Sequence, residues 1–191
     1  MSKGLAAERN DASSERLRAL IREKSLKRAG DRTFDLASGE KSDFYFDMKS
    51  LLLDPEGISL VAREMLEILE RETFDFIGGL AMGAIPIVAA ICGLSFPDRP
   101  IAGFFVRPQQ KERGTRRLIE GNIAENARVV LVEDVTTKGG STLQAAEAVW
   151  SIGCTVEKAI TIVDRQAGAK ENLEARGVEL VALYTKDDFG L

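Results

Sequence analysis

Five short apolar runs limit what this chain can fold into. Near 74–80, 101–106, 129–133, 157–163 and 178–183 the sequence is dense in Val, Ile, Leu and Phe, and most of these runs are separated by segments with helical spacing. Ile85–Cys92, Thr142–Ser151 and Ala169–Arg176 are the predicted helices between them. Strands alternating with helices call for an α/β fold, a mainly parallel sheet covered on both faces. With 191 residues, one domain spanning 1–191 is expected.

The first third has a different character. Residues 1–13 are polar and aperiodic, and an amphipathic helix is expected from near Ser14, carrying Leu17, Leu20, Ile21 and Leu26 and stopped at Ala29-Gly30-Asp31. Phe34 to Asp47 alternates around Ser38-Gly39 and reads as a hairpin, its Phe34 as core. Asp54-Pro55-Glu56 supplies an N-cap, a first-turn proline and an acid suited to the helix dipole, predicting a helix to about Arg71 with Ile58, Val61, Met65, Leu66 and Leu69 inward.

Composition excludes several classes of function. A net charge of −4 argues against broad nucleic-acid binding, so an anionic ligand has to be caught locally. The chain has no histidine, which removes His-based acid–base catalysis, Ser-His-Asp triads and most zinc sites. Cys92 and Cys154, both in apolar segments, read as buried thiols of a reducing compartment. No run of about 18 apolar residues occurs, so no membrane association and a cytoplasmic location are expected.

Chemistry concentrates at Val129-Val130-Leu131-Val132-Glu133-Asp134-Val135-Thr136-Thr137-Lys138-Gly139-Gly140-Ser141-Thr142. An apolar strand delivers two adjacent carboxylates, and a Thr/Gly/Ser turn then opens a helix. Such a turn aims backbone N–H groups and hydroxyls at a phosphate, with the helix N-terminus adding partial positive charge. The spacing matches neither the P-loop nor the Gly-x-Gly-x-x-Gly dinucleotide pattern. Three further segments stand out: the basic stretch Arg107–Thr115, the small-residue turn Gly78–Pro86, and the aromatic run Phe44-Tyr45-Phe46 together with Arg165.

The Glu133–Thr142 stretch resembles the motif with which type I phosphoribosyltransferases bind 5-phosphoribosyl 1-diphosphate (PRPP). Within them the pattern is most similar to the orotate phosphoribosyltransferases, and the likeness runs from about Phe34 to Arg165. The resemblance implies a central sheet with a small N-terminal hood (about residues 14–50), small-molecule substrates, and transfer of the phosphoribosyl group from PRPP to orotate in pyrimidine biosynthesis. It implies that Glu133 and Asp134 contact the ribose hydroxyls, and that Thr136, Thr137, Lys138, Gly139, Gly140, Ser141 and Thr142 bind the 5-phosphate, with Val135 in the same stretch. Arg107, Lys111 and Arg113 fall in a mobile loop that closes on the diphosphate of the neighbouring subunit, which makes a homodimer with shared active sites the expectation. Arg107 and Lys111 join Glu133 and Asp134 as catalytic residues, while Ala81 and Met82 belong to the diphosphate turn. By the same resemblance, Phe44, Tyr45 and Phe46 are expected to form a hood over the base, Thr137 to reach it, and Arg165 to pair with the orotate carboxylate. Mg²⁺ is the implied cofactor, held mainly by PRPP and water rather than directly by protein. Four positions depart from the pattern: Pro108, Met82 and Ala37 replace lysines present in members, and Arg113 replaces a histidine. A purine phosphoribosyltransferase and a non-catalytic PRPP sensor are the alternatives.

Overall fold

The computed structural model describes residues 11–30, 33–35, 41–109 and 118–191. Helix α1 (Asp11–Leu20) starts three residues before the predicted Ser14 and buries Leu17 and Leu20. It continues into a single π-turn, Ile21–Ser25, after which the chain extends as β1 (Leu26–Arg28). The predicted helix to Ala29 is therefore too long. Leu26 has helical spacing in sequence, but its backbone is spent on pairing with Phe46 of β4 (Phe44–Phe46). The predicted 34–47 hairpin divides for the same reason. Its first half is β2 (Phe34–Asp35) paired with β3 (Lys41–Ser42), whereas the aromatic half turns away to β1. Residues 1–10 of the predicted lead-in, and the Ser38-Gly39 turn, lie outside the described residues.

A short helix α2 (Lys49–Leu52) that periodicity did not announce precedes α3 (Pro55–Leu69). The start of α3 follows the predicted chemistry: Asp54 Oδ1 accepts from the Gly57 amide at 2.9 Å, and Lys24 Nζ lies 2.9 Å from Asp54 Oδ2. Val61, Met65 and Leu69 are buried as expected, with Ile58 and Leu66 packed at the margin of the core.

The remaining elements are β5 (Phe76–Gly78), α4 (Ala84–Ser95), β6 (Ala102–Val106), β7 (Ile119–Gly121), β8 (Arg128–Thr136), α5 (Gly140–Trp150), β9 (Thr155–Asp164), α6 (Ala169–Glu174) and β10 (Glu179–Thr185). They build one six-stranded sheet in the order β10-β9-β8-β5-β6-β7, parallel except for β7, which was not predicted and pairs antiparallel with β6. Alternation along β8 shows why both faces are covered. Val130 and Val132 pack with α1, α3 and α4 residues, while Val129 and Leu131 pack with α5 and α6 residues. The chain leaves β5 toward β6 on one side and later returns to place β8 on the other. That reversal opens a crevice beyond the carboxyl ends of β5 and β8, where α/β sheets bind ligands. Among the described residues, no helix is long and apolar enough to cross a membrane.

Candidate active site

Pairing along β8 continues past the predicted end at Glu133 to Thr136, with Glu133 opposite Thr161 and Thr136 opposite Asp164. The ladder carries both carboxylates to the crevice. Glu133 is only 7% exposed, and its Oε2 has no hydrogen-bond partner among the described residues. Burial first, and the neighbouring Asp134 charge second, push its carboxyl well above the usual carboxylate range. Asp134 Oδ1 accepts from the Val135 amide at 2.8 Å. The same carboxylate lies against Gly83, where a Cβ would stand 2.6 Å from Oδ1, so a larger residue there would displace the Asp134 side chain; at Gly79 a Cβ would meet the backbone oxygen of Val132 at 2.2 Å, which keeps the neighbouring chain segments close. The turn around Gly83 is fastened to the end of β6: Ala81 N donates to Val106 O at 2.7 Å, and Val106 N donates to Gly79 O at 2.8 Å.

Beyond Thr136 the backbone turns through Gly139, whose φ of 77° is left-handed, and α5 begins at Gly140. Asn172 Nδ2 donates to Lys138 O at 3.0 Å and holds this turn in place. The first amides of α5 therefore open toward a cavity of about 550 Å³ lined by Glu133–Ser141, Tyr45, Phe46 and Arg165. Its size and its pairing of helix N-terminus with carboxylates suit a phosphate ester that also bears hydroxyls. Thr142 is buried behind this wall rather than lining it.

Arg165 follows β9, and its amide donates to Thr136 O at 3.0 Å, extending the β8–β9 register by one residue. Its side chain is 8% exposed, donates from Nη2 to Ser42 Oγ at 2.8 Å, and lies 4.4 Å above the Phe44 ring. The guanidinium is thus held over an aromatic face and tied to Ser42, which restricts where it can meet a partner. A second cavity of about 490 Å³ shares Arg165 and Thr137 with the first and adds Lys41, Ser42, Phe44, Gln166, Ala167 and Lys186. The three predicted hood aromatics differ in role. Phe46 is buried in edge contact with Phe189 at 5.2 Å, Phe44 supports Arg165, and Tyr45 is 37% exposed and rests on Phe34 at 5.8 Å. Phe34 is half-buried beside that ring rather than sealed in the core.

Other predicted residues stand apart from these cavities. Arg107 ends β6, donates its amide to Leu118 O at 2.8 Å and has Nη1 3.8 Å from Glu120 Oε1. Neither it nor Ala81 or Met82 lines either cavity, and Met82 is 81% exposed. Lys111, Arg113 and Ala37 lie outside the described residues. Lys41 and Lys186 were missed in the sequence, whereas Gly83 belongs to the small-residue turn already singled out there. Only Lys186 had a local signal, since Thr185-Lys186-Asp187-Asp188 has the spacing of a capping box. Among the described residues, no cluster of three or more His, Cys, Asp or Glu side chains is arranged for a metal ion.

No protein-family model matches the chain. A curated orotate phosphoribosyltransferase of Rhodopseudomonas palustris (strain BisB18) is 46% identical over 183 residues, covering 93% of this chain and 96% of its own. The crystal structure of Mycobacterium tuberculosis H37Rv orotate phosphoribosyltransferase in complex with Fe(III) dicitrate superimposes with a TM-score of 0.80 at 36% identity, over 94% of this chain and 99% of that one. The same enzyme in complex with PRPP gives a TM-score of 0.76 at 33% identity, over the same shares of the two chains.

Proposed function

We infer the reaction from one premise: the chain belongs to the orotate phosphoribosyltransferase family. Its reaction is the transfer of the 5-phosphoribosyl group of PRPP to orotate, giving orotidine 5′-monophosphate and diphosphate in pyrimidine biosynthesis. The observation that supports this most directly is the joining of two recognition elements through Thr137 and Arg165. The Glu133–Ser141 wall offers carboxylates and helix amides to a ribose phosphate, and a flat, buried guanidinium stands at its edge for a planar acid. A purine base brings no carboxylate to Arg165, and the relatives named above are orotate enzymes, so the purine alternative is not favoured.

At the ribose, the C1–O bond to diphosphate breaks as the C1–N bond to orotate forms. The attacking ring nitrogen loses its proton as the C1–N bond forms, and an oxygen of the leaving diphosphate takes it, so no histidine base is needed; the barrier is the oxocarbenium-like carbon. Glu133 and Asp134 accept from the ribose hydroxyls, giving the buried Glu133 Oε2 the donor it lacks. The turn and the first amides of α5 hold the 5-phosphate, and the aromatic hood excludes water. Arg107, Lys111 and Arg113 meet the diphosphate from the neighbouring subunit of a homodimer; an arginine at 113 can neutralise charge but cannot donate a proton near neutral pH. Adjacent Glu133 and Asp134 are hard oxygen donors that fit Mg²⁺ through its waters. Bound Mg²⁺ supplies charge neutralisation on the diphosphate. The free thiols Cys92 and Cys154 suit a reducing compartment, and we place the enzyme in the cytoplasm.

The test is ultraviolet measurement of orotate consumption with PRPP and Mg²⁺, repeated with Arg165→Ala. Losing a charged partner in a desolvated site costs about 2–5 kcal/mol, or roughly thirty-fold to several thousand-fold in affinity. The Michaelis constant for orotate should rise by that order and the one for PRPP little. Equal rises in both, or in neither, would remove Arg165 from the base site.

A further inference from the structure

The wall of the second cavity carries three cationic side chains, Lys41, Arg165 and Lys186, and no carboxylate lines it. In a chain of net charge −4 this is a local reversal of sign. Lys186 is built into its place. It opens the single 3-10 turn Lys186–Phe189, whose cap is reciprocal, with Asp188 Oδ2 accepting from Thr185 N at 2.7 Å and from Thr185 Oγ1 at 3.0 Å. Gln166, the residue after Arg165, donates from Nε2 to Asp187 Oδ2 at 3.0 Å and ties this turn to the arginine. Both acids following Lys186 are therefore already engaged by neutral donors. The remaining nearby acid, Asp164, accepts from the Gln166 amide at 2.8 Å, and its own carboxyl is raised chiefly by burial. The Lys186 charge acts on the Asp164 carboxyl and lowers it slightly against the larger effect of burial, but among the described residues no carboxylate oxygen is paired with Lys186 within 4 Å.

We propose that Lys186 is a specificity-determining residue, which presents a second positive charge to the carboxylate end of the base and, with Lys41, draws the anion into the cavity mouth before Arg165 engages it. This rests on the assignment of Arg165 to the orotate carboxylate. The two cations divide the work by chemistry. The buried, planar guanidinium supplies bidentate geometry, whereas an ammonium on a flexible stem at the rim is a point charge that acts on encounter and is screened by salt.

The experiment is steady-state kinetics of Lys186→Gln, Lys41→Gln, the double variant and Lys186→Arg, at about 20 mM and about 500 mM salt. Lys186→Gln should lower kcat/KM for orotate roughly three- to tenfold at low salt, with the loss fading at high salt, and kcat and the PRPP constant should stay as they are. Lys41→Gln should lower it less, the double variant more than either, and Lys186→Arg should restore it. Lys186→Gln with an unchanged orotate constant and salt slope would overturn the proposal, as would equal effects on PRPP or failure of Lys186→Arg to restore. Arg165→Ala separates the two readings. If it raises the orotate constant while Lys186→Gln is silent, only the role of Lys186 falls; if it leaves that constant unmoved, the base assignment falls as well.

Discussion

Glu133 is a carboxyl buried without a partner for Oε2 among the described residues, an arrangement that works against the fold. A carboxyl raised by burial contributes full stability below the unfolded value of about 4.3, and that stability is lost as pH rises toward its folded value. Glu133→Gln keeps the shape and removes the ionisation. The variant should therefore melt above the parent near neutral pH, by about 2–4 °C for each kcal/mol recovered, with the gap closing as pH falls toward about 4. The same variant should bind PRPP more weakly, because an amide presents one acceptor oxygen where a carboxylate presents two. Thermal melts across pH, with and without PRPP, measure both. A variant that melts below the parent at neutral pH would show that Glu133 is paired by a group that the geometry does not reveal. Residue-scale reading from sequence found the carboxylates because an apolar strand runs directly into them ahead of a Thr/Gly/Ser turn, and it found Arg165 through the family resemblance. It could name the Gly78–Pro86 turn but not the contact of Gly83 with Asp134, and it did not find Lys186, because both depend on what stands opposite in space.

Elements were legible where local chemistry and tertiary packing agree. Asp54-Pro55 named the start of α3 to the residue, since a capping carboxylate and a fixed proline φ act within one turn. Leu26 and the Phe44–Phe46 run were misplaced because periodicity near the N-terminus suits either state, and the β1–β4 pairing is decided by the burial of Phe46. β7 has only three residues, too few for a sequence pattern to show, and was not predicted. The Asp54 cap gives a prediction with a defined sign. The Gly57 amide, and then Lys24, hold the Asp54 carboxyl below the usual range, so its contribution is present above the unfolded value of about 3.9 and is lost as pH falls through the folded one. Asp54→Ala should lower the melting temperature and speed amide exchange in the first turn of α3 at pH 7, and the difference from the parent should vanish in acid. A difference that persists unchanged below about pH 2 would mean the cap acts through packing instead.

At the scale of the whole molecule, the alternation of strands and helices fixed the sheet and therefore the crevice at the β5–β8 reversal, where the carboxylates, the Gly83 turn and the α5 N-terminus meet. Arg107 stands apart from the crevice. It stands at the base of the basic loop, yet it lines neither cavity and lies beside Glu120 at 3.8 Å. Gln144 Nε2 donates to Pro108 O at 2.8 Å, which anchors the root of that loop to α5. If the loop serves the neighbouring site in a homodimer, two inactive variants can repair one another. Lys111→Ala removes a loop cation and leaves the crevice intact, whereas Asp134→Asn damages the crevice and leaves the loop intact. In a mixed dimer the crevice of the first chain meets the loop of the second, and both are sound; the opposite site carries both defects. Random re-association of equal amounts makes half the dimers mixed, each with one working site, so the mixture should recover about a quarter of the parent activity although each variant alone has little. A loop that served its own subunit would give no recovery, since every chain would keep its own defect, and the assignment of Lys111 to the partner's site would then be withdrawn.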